Sequence, residues 1–156
     1  VGISRDDAGG ADAGAIVLVS GRTDLASIDG NDLQTEATAT LTGPSSSLAV
    51  GDAVSGDFDW DGDGNEDVLV GVPRAGLNGE GIAYLVLGPV SGTSDVETES
   101  HAGFVGDGAD DGVGSFVTTG GDLFDSGGVT LVIGGWEDDS NGSDAGGVYL
   151  VDEIGL

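Results

Sequence analysis

Residues 57–67 read DFDWDGDGNED, six acids and no base within eleven positions. Asp59, Asp61, Asp63, Asn65 and Asp67 stand at alternate positions of this stretch. Together with Gly64 they fit the pattern D-x-D-x-D-G-x-x-D. Carboxylates spaced this way on a tight loop converge on one point. Gly64, at the sixth position, permits the sharp turn. Asn65, at the seventh, can offer its backbone carbonyl, and Asp67, at the ninth, closes the shell. Calcium is a hard cation that takes about six to eight oxygens, so this donor set suits Ca²⁺. Asp57 and Glu66 are expected outside the direct ligands or joined to the ion through water. The loop is not an EF-hand, because position twelve is Val70 rather than Glu and the run Val68 to Val70 reads as a strand.

Other residues offer less chemistry. His101 is the single histidine, in a polar run beside Ser100, and adjacency does not make a catalytic triad. The Asp pairs of the acidic loop suit a cation better than a glycosidase dyad. No catalytic residue is expected, and the chain is read as non-enzymatic. Trp60, inside the loop, is expected either to project as a contact residue or to lie over a neighbouring sheet. Trp136 is expected in core or rim packing. Asn141 and Ser143 fit the N-x-S glycosylation pattern, which needs a suitable host.

The elements that must position the loop are short. Five apolar runs, 15–19, 68–70, 82–87, 129–133 and 148–151, are each bounded by Gly, Asp, Asn or Ser. That is the pattern of strands and turns, and it argues against disorder despite the charge. One helical turn is expected between Thr23 and Thr35. The runs repeat: glycines at 14, 81 and 146 each open a similar strand, at spacings of 67 and 65 residues. A second element precedes each, at 1–4, 70–73 and 133–136. A third occurs twice, at 51–57 and 114–122. About four short strands per ~66 residues point to repeating β-sheets, as in a propeller, whose blades protect their edges by radial repetition. The chain holds about 2.4 such repeats, too few to close a ring of four to eight blades. Residues 121–130 correspond to the acidic loop. They read as two residues shorter, with Thr130 in place of Asp67 and Ser126 where a central Asp belongs, and so as metal-free.

Composition narrows the function classes. The 156 residues carry 29 acids against three arginines, Arg5, Arg22 and Arg74, for a net charge of −26. Nucleic acid and anionic membrane surfaces are disfavoured partners, since both are bound through Lys and Arg. The absence of Cys excludes disulfides, thiolate zinc sites and a cysteine nucleophile. No apolar run reaches the ~18 residues of a membrane helix, and no signal-peptide pattern is present. The chain starts at Val1 rather than Met, so a processed product or a piece of a longer chain is expected.

These motifs resemble FG-GAP repeats, the blade unit of the integrin α-subunit propeller and of many bacterial surface proteins. The resemblance rests on a Gly-x-x-Val strand, the acidic loop, a strand ending in a Gly-Ala-Pro-like element and a G-x-x-Y-x-V-x-G strand. Residues 48–88 match nearly throughout, with Gly71-Val72-Pro73 in place of Gly-Ala-Pro. The third repeat departs further, with Gly134-Gly135-Trp136 at that element. The resemblance implies an all-β, seven-bladed propeller of four-stranded antiparallel blades. In this chain it implies the second half of a blade with its outer strand and linker over 1–47. A complete blade over 48–110 and a degenerate one over 111–156 then follow. It also implies calcium held by Asp59, Asp61, Asp63, Asn65 and Asp67, and an extracellular or cell-surface role in adhesion or ligand recognition. The partner would be a protein or glycan ligand, or further copies or blades of the chain itself. A second reading is a structural subunit whose blades assemble between chains into a ring, filament or surface layer.

Overall fold

The computed structural model describes residues 1–21, 35–46 and 48–153. The helical turn expected from Thr23 onward falls on residues outside that set. The described residues form, in chain order, β1 (Gly2–Ile3), β2 (Ala15–Leu18), β3 (Ala39–Thr42), β4 (Ala53–Ser55), β5 (Val68–Val72), β6 (Ile82–Val86) and β7 (Gly92–Asp95). A one-turn helix α1 (Val96–Glu99) follows, then β8 (Ala102–Val105), β9 (Val113–Thr119), β10 (Thr130–Gly135) and β11 (Gly147–Asp152). The protein is all-β, as its β-branched runs predict.

Among the described residues three small sheets form, and these do not close into a barrel. The first has the order β1-β2-β3-β7, the second β4-β5-β6-β8 and the third β11-β10-β9. Among the described strands every ladder is antiparallel except one. Strand β7 leaves its own repeat and pairs parallel with β3, Ala39 opposite Gly92 and Thr42 opposite Asp95. The expectation of uniformly antiparallel four-stranded sheets therefore fails at this edge. Two local features hold the exchange in place. The Asp95 carboxylate caps α1 by accepting from the Glu97 and Thr98 N–H groups, and Val96 is fully buried in the core between the first two sheets.

The middle sheet is covered on both faces, and its side chains divide by parity. Val68, Val70 and Val72 of β5 and Tyr84 and Val86 of β6 pack with Ile16 and Leu41 of the first sheet. Leu69, Ala83 and Leu85 point the other way and pack with Val113, Val117, Leu131 and Ile133 of the third. This explains why β5 is apolar at every position rather than alternating. Burial between the sheets, with Glu97 and Asp95 nearby, pushes the Tyr84 phenol up to about 12.

The two seams repeat each other bond for bond. Val50 N–H donates to the Ala13 carbonyl at 3.0 Å in one, and Val113 N–H to the Glu80 carbonyl at 3.1 Å in the other. Parallel bridges join Gly14 to Val50 and Gly81 to Val113. Beside them the backbones touch: a Cβ on Gly2 would strike the Gly51 carbonyl oxygen, and one on Gly71 the Gly114 carbonyl oxygen. Glycine is needed here for close approach rather than for a left-handed turn. With so few bonds across a seam, apolar burial must hold the sheets together. Leu69, Leu85, Leu131 and Ile133 are at most 1% exposed, and each stabilises by about 1.5–3 kcal/mol. Their gross sum is comparable to the whole net stability of a small domain.

Gly71→Ala should therefore cost about 3 kcal/mol, because backbone rather than a movable side chain blocks the new methyl. Gly103→Ala is the control: its Cβ would meet only side chains at ordinary contact distance, the Tyr84 ring at 3.5 Å and Ile82 Cγ2 at 3.7 Å. Urea denaturation should show a large loss for the first and a change within about 0.5 kcal/mol for the second. Equal losses would contradict the close-approach account.

Candidate metal centre

The acidic loop joins β4 to β5 in the doubly covered middle sheet. It closes through the Asp67 N–H, which donates to the Phe58 carbonyl at 2.7 Å. Inside that closure, carboxylates organise the turn. Asp59 accepts from the Asp63 N–H at 3.1 Å and the Gly64 N–H at 2.9 Å. Asp61 also accepts from the Asp63 N–H at 3.1 Å. Gly62 and Gly64 hold φ of +72° and +89°, in the region where a Cβ is strained. Nothing lies within 4 Å of a Cβ at either, so conformation, not space, selects glycine here.

Asp67 anchors the site. It is 1% exposed and accepts from the Trp60 N–H at 2.6 Å and the Gly88 N–H at 2.8 Å. A buried carboxylate needs such partners or a cation. The Gly88 bond ties the loop to the chain just after β6, so one side chain connects β4, β5 and β6. Trp60 is partly buried against the core between the second and third sheets. Of its two expected placements, it takes the one over a neighbouring sheet.

Asp59, Asp61 and Asp67 each present an oxygen within 4.8 Å of the others, the only such grouping among the described residues. Asp63 is not in that group. Its two oxygens accept from Asn65, one from the backbone N–H at 2.7 Å and one from Nδ2 at 2.8 Å. Asn65 thus spends its side-chain amide on Asp63 and keeps carbonyl oxygens to offer. Asp57 and Glu66 are exposed. Three carboxylates that converge without a base repel one another, and a hard divalent cation is the species that relieves this.

Residues 120–130 repeat this geometry with Asp122 in the place of Asp59 but without acids at the places of Asp61, Asp63 and Asp67. Asp122 accepts from the Ser126 N–H at 2.8 Å and the Gly127 N–H at 2.9 Å, as Asp59 does from Asp63 and Gly64. Thr130 Oγ1 accepts from the Leu123 N–H at 3.2 Å, as Asp67 does from Trp60. The offset is 63 residues throughout, so the two loops have equal length. The expected two-residue shortening is incorrect: aligning acid on acid misplaced the gap, whereas the hydrogen bonds fix the register. At that register Phe124 replaces Asp61, Ser126 replaces Asp63 and Thr130 replaces Asp67. Hydroxyls close the second loop, with Ser126 and Thr130 both donating to Asp152, at 3.1 and 3.2 Å. The N–H groups of Gly127 and Ser126 hold the Asp122 carboxyl below the usual carboxylate range.

Of the two placements expected for Trp136, core is excluded: it is 63% exposed, with its indole edge over Gly112. Its neighbour Asp138 is buried instead, held by Tyr149 Oη and the Ser140 N–H. The Gly88 and Trp60 donors to Asp67 are absent from the sequence reading. Backbone donors leave no residue signature, and Gly88 lies 21 positions away. His101 is exposed, and Asn141 lies on an exposed turn. Neither a scan against models of known families nor a search of characterised proteins returns a match to this chain.

Asp61→Ala should abolish binding of a single Ca²⁺, and Asp122→Ala should leave one ion bound with unchanged affinity. Isothermal titration calorimetry on both variants checks this. Equal losses would refute the assignment to residues 59–67.

Proposed function

We propose that this chain is a non-enzymatic, calcium-binding arc of FG-GAP propeller blades that serves adhesion or ligand recognition at or outside the cell surface. The convergence of Asp59, Asp61 and Asp67 carries the reading, because such a cluster within a rigid turn has a cation as its natural complement. Asp63 and Asn65 complete the proposed ligand set. The repeated seams support the propeller part: sheets that stack by one reused contact can extend into a ring. The excess of acids over bases, 29 to 3, favours a medium rich in salt or calcium, where self-repulsion is screened.

One observation favours the second reading, a subunit whose blades assemble between chains. Val148 and Leu150 in the third sheet stand where Ala83 and Leu85 stand in the second, counting from Gly146 and Gly81. Ala83 and Leu85 are buried by the next sheet, whereas Val148 is 67% and Leu150 49% exposed. Light scattering separates the readings. A monomer supports the first, and a defined oligomer that Leu150→Asp dissolves supports the second.

Chelator should lower the melting temperature of the wild type even in ~1 M NaCl, where surface repulsion is already screened. Calcium at a hundredfold excess over Kd should stabilise by about 2.7 kcal/mol. No chelator effect at high salt would reduce the loop to a solvated acidic turn.

A further inference from the structure

Two of the three basic residues of this acidic chain line one cavity. Arg5 follows β1 and Arg74 follows β5, at matching places in the repeat, after Ile3-Ser4 and Val72-Pro73. Both border a cavity of about 290 Å³ together with Ser4, Asp12, Ala49 and Asp52. The cavity lies at the seam between the first and second sheets and shares no residue with the acidic loop. Among the described residues, neither guanidinium forms an ion pair or hydrogen bond. That is unexpected in a chain with 29 acids, two of them in the same cavity.

The walls are built by the seam itself. Ala49 N–H donates to the Asp12 carbonyl at 3.4 Å, and both residues hold left-handed backbone, with φ of +57° and +53°. For alanine this conformation costs on the order of 1 kcal/mol. The cavity floor is thus fixed by the sheet contact rather than by a loose loop.

We propose that this cavity binds an acidic sugar, a ligand with one carboxylate and several hydroxyls. The guanidinium is a planar fork that fits a carboxylate bidentately, and two of them flank this space. Ionised Asp12 and Asp52 only accept hydrogen bonds, so they match hydroxyl donors. A neutral sugar could accept hydrogen bonds from the guanidiniums but would leave both without a counter-charge. A dicarboxylate without hydroxyls would set its second charge against Asp12 and Asp52. One carboxylate with adjacent hydroxyls satisfies every polar wall. The volume stands near the lower end of ligand pockets, about 300 Å³, which suits a single sugar residue.

The proposal rests on the reading of the chain as a recognition module and names a ligand class for it. With three arginines and no lysine, the guanidinium Nε–H signals in ¹H–¹⁵N spectra number three, and Arg5→Gln and Arg74→Gln assign the two in question. The full chain is titrated with D-glucuronate, and in parallel with acetate, glucose and NaCl at matched ionic strength. Glucuronate should shift the Arg5 and Arg74 signals saturably, the other three additives should not, and each Gln variant should weaken binding at least tenfold. The same shifts with acetate or NaCl, or an unchanged midpoint in both Gln variants, would overturn the proposal. Titrating the chelator-free chain with Ca²⁺ in parallel separates the outcomes. Glucuronate binding without a calcium response counts against the calcium site alone, and a calcium response without glucuronate binding counts against the cavity alone.

Discussion

Two sheets in this protein approach until their backbones touch, and that contact sets the terms for everything built on it. The carbonyl of Gly114 occupies the place a side chain on Gly71 would need, and Gly51 stands in the same relation to Gly2. Stacking at this distance lets small β-branched side chains fill the space between sheets. The middle sheet accordingly fills that space chiefly with Val at 68, 70 and 72 and Leu at 69 and 85, beside Tyr84 on one face and Phe58 on the other. A chain in which about one residue in five is glycine is therefore not a loose one. Many of its described glycines stand where backbone meets backbone or where the chain turns left-handed.

The acidic loop belongs to the same construction. It links β4, which lies at a seam, to β5, the most buried strand. Its deepest acid, Asp67, also grips the chain after β6 through Gly88. A cation held by Asp59, Asp61 and Asp67 would cancel repulsion at the point where three strands are joined. The next repeat shows the other solution. With Phe124, Ser126 and Thr130 in those places, hydroxyls donate to Asp152 and the turn stands by itself. One backbone shape thus accommodates a cluster of converging carboxylates and a turn closed by hydroxyls, and side chains alone decide between them.

Much of this was legible in the sequence, for identifiable reasons. Five of the strands, β2, β5, β6, β10 and β11, announce themselves because each is a short apolar run bounded by Gly, Asp, Asn or Ser. The repeat shows because Gly14, Gly81 and Gly146 open the same strand three times. The donor spacing from Asp59 to Asp67 is visible because a turn brings near neighbours together. What escaped is what local patterns do not encode. The parallel pairing of β7 with β3 joins residues more than fifty positions apart. Helix α1 is a single turn, too short for a period, though Asp95 before Val96 is a capping signal in plain view. The sequence leaves Trp136 between core and rim, and only the structure shows it 63% exposed while the loop that follows buries Asp138. The register of the second loop needed its hydrogen bonds. Arg5 and Arg74 share a place in the repeat, a signal that becomes meaningful only once the seam brings them to one cavity.

The central claim is that the cluster around Asp59, Asp61 and Asp67 holds a cation. Trp60 lies inside that loop and donates its backbone N–H to Asp67, whereas Trp136 lies in the third repeat. Terbium, a calcium mimic that luminesces when a nearby indole is excited, reports directly on this arrangement. Excitation of tryptophan should give Tb³⁺ emission that saturates at one ion per chain, falls on adding Ca²⁺ and disappears in Trp60→Phe but not in Trp136→Phe. Emission that survives Trp60→Phe, or that Ca²⁺ does not displace, would contradict the account.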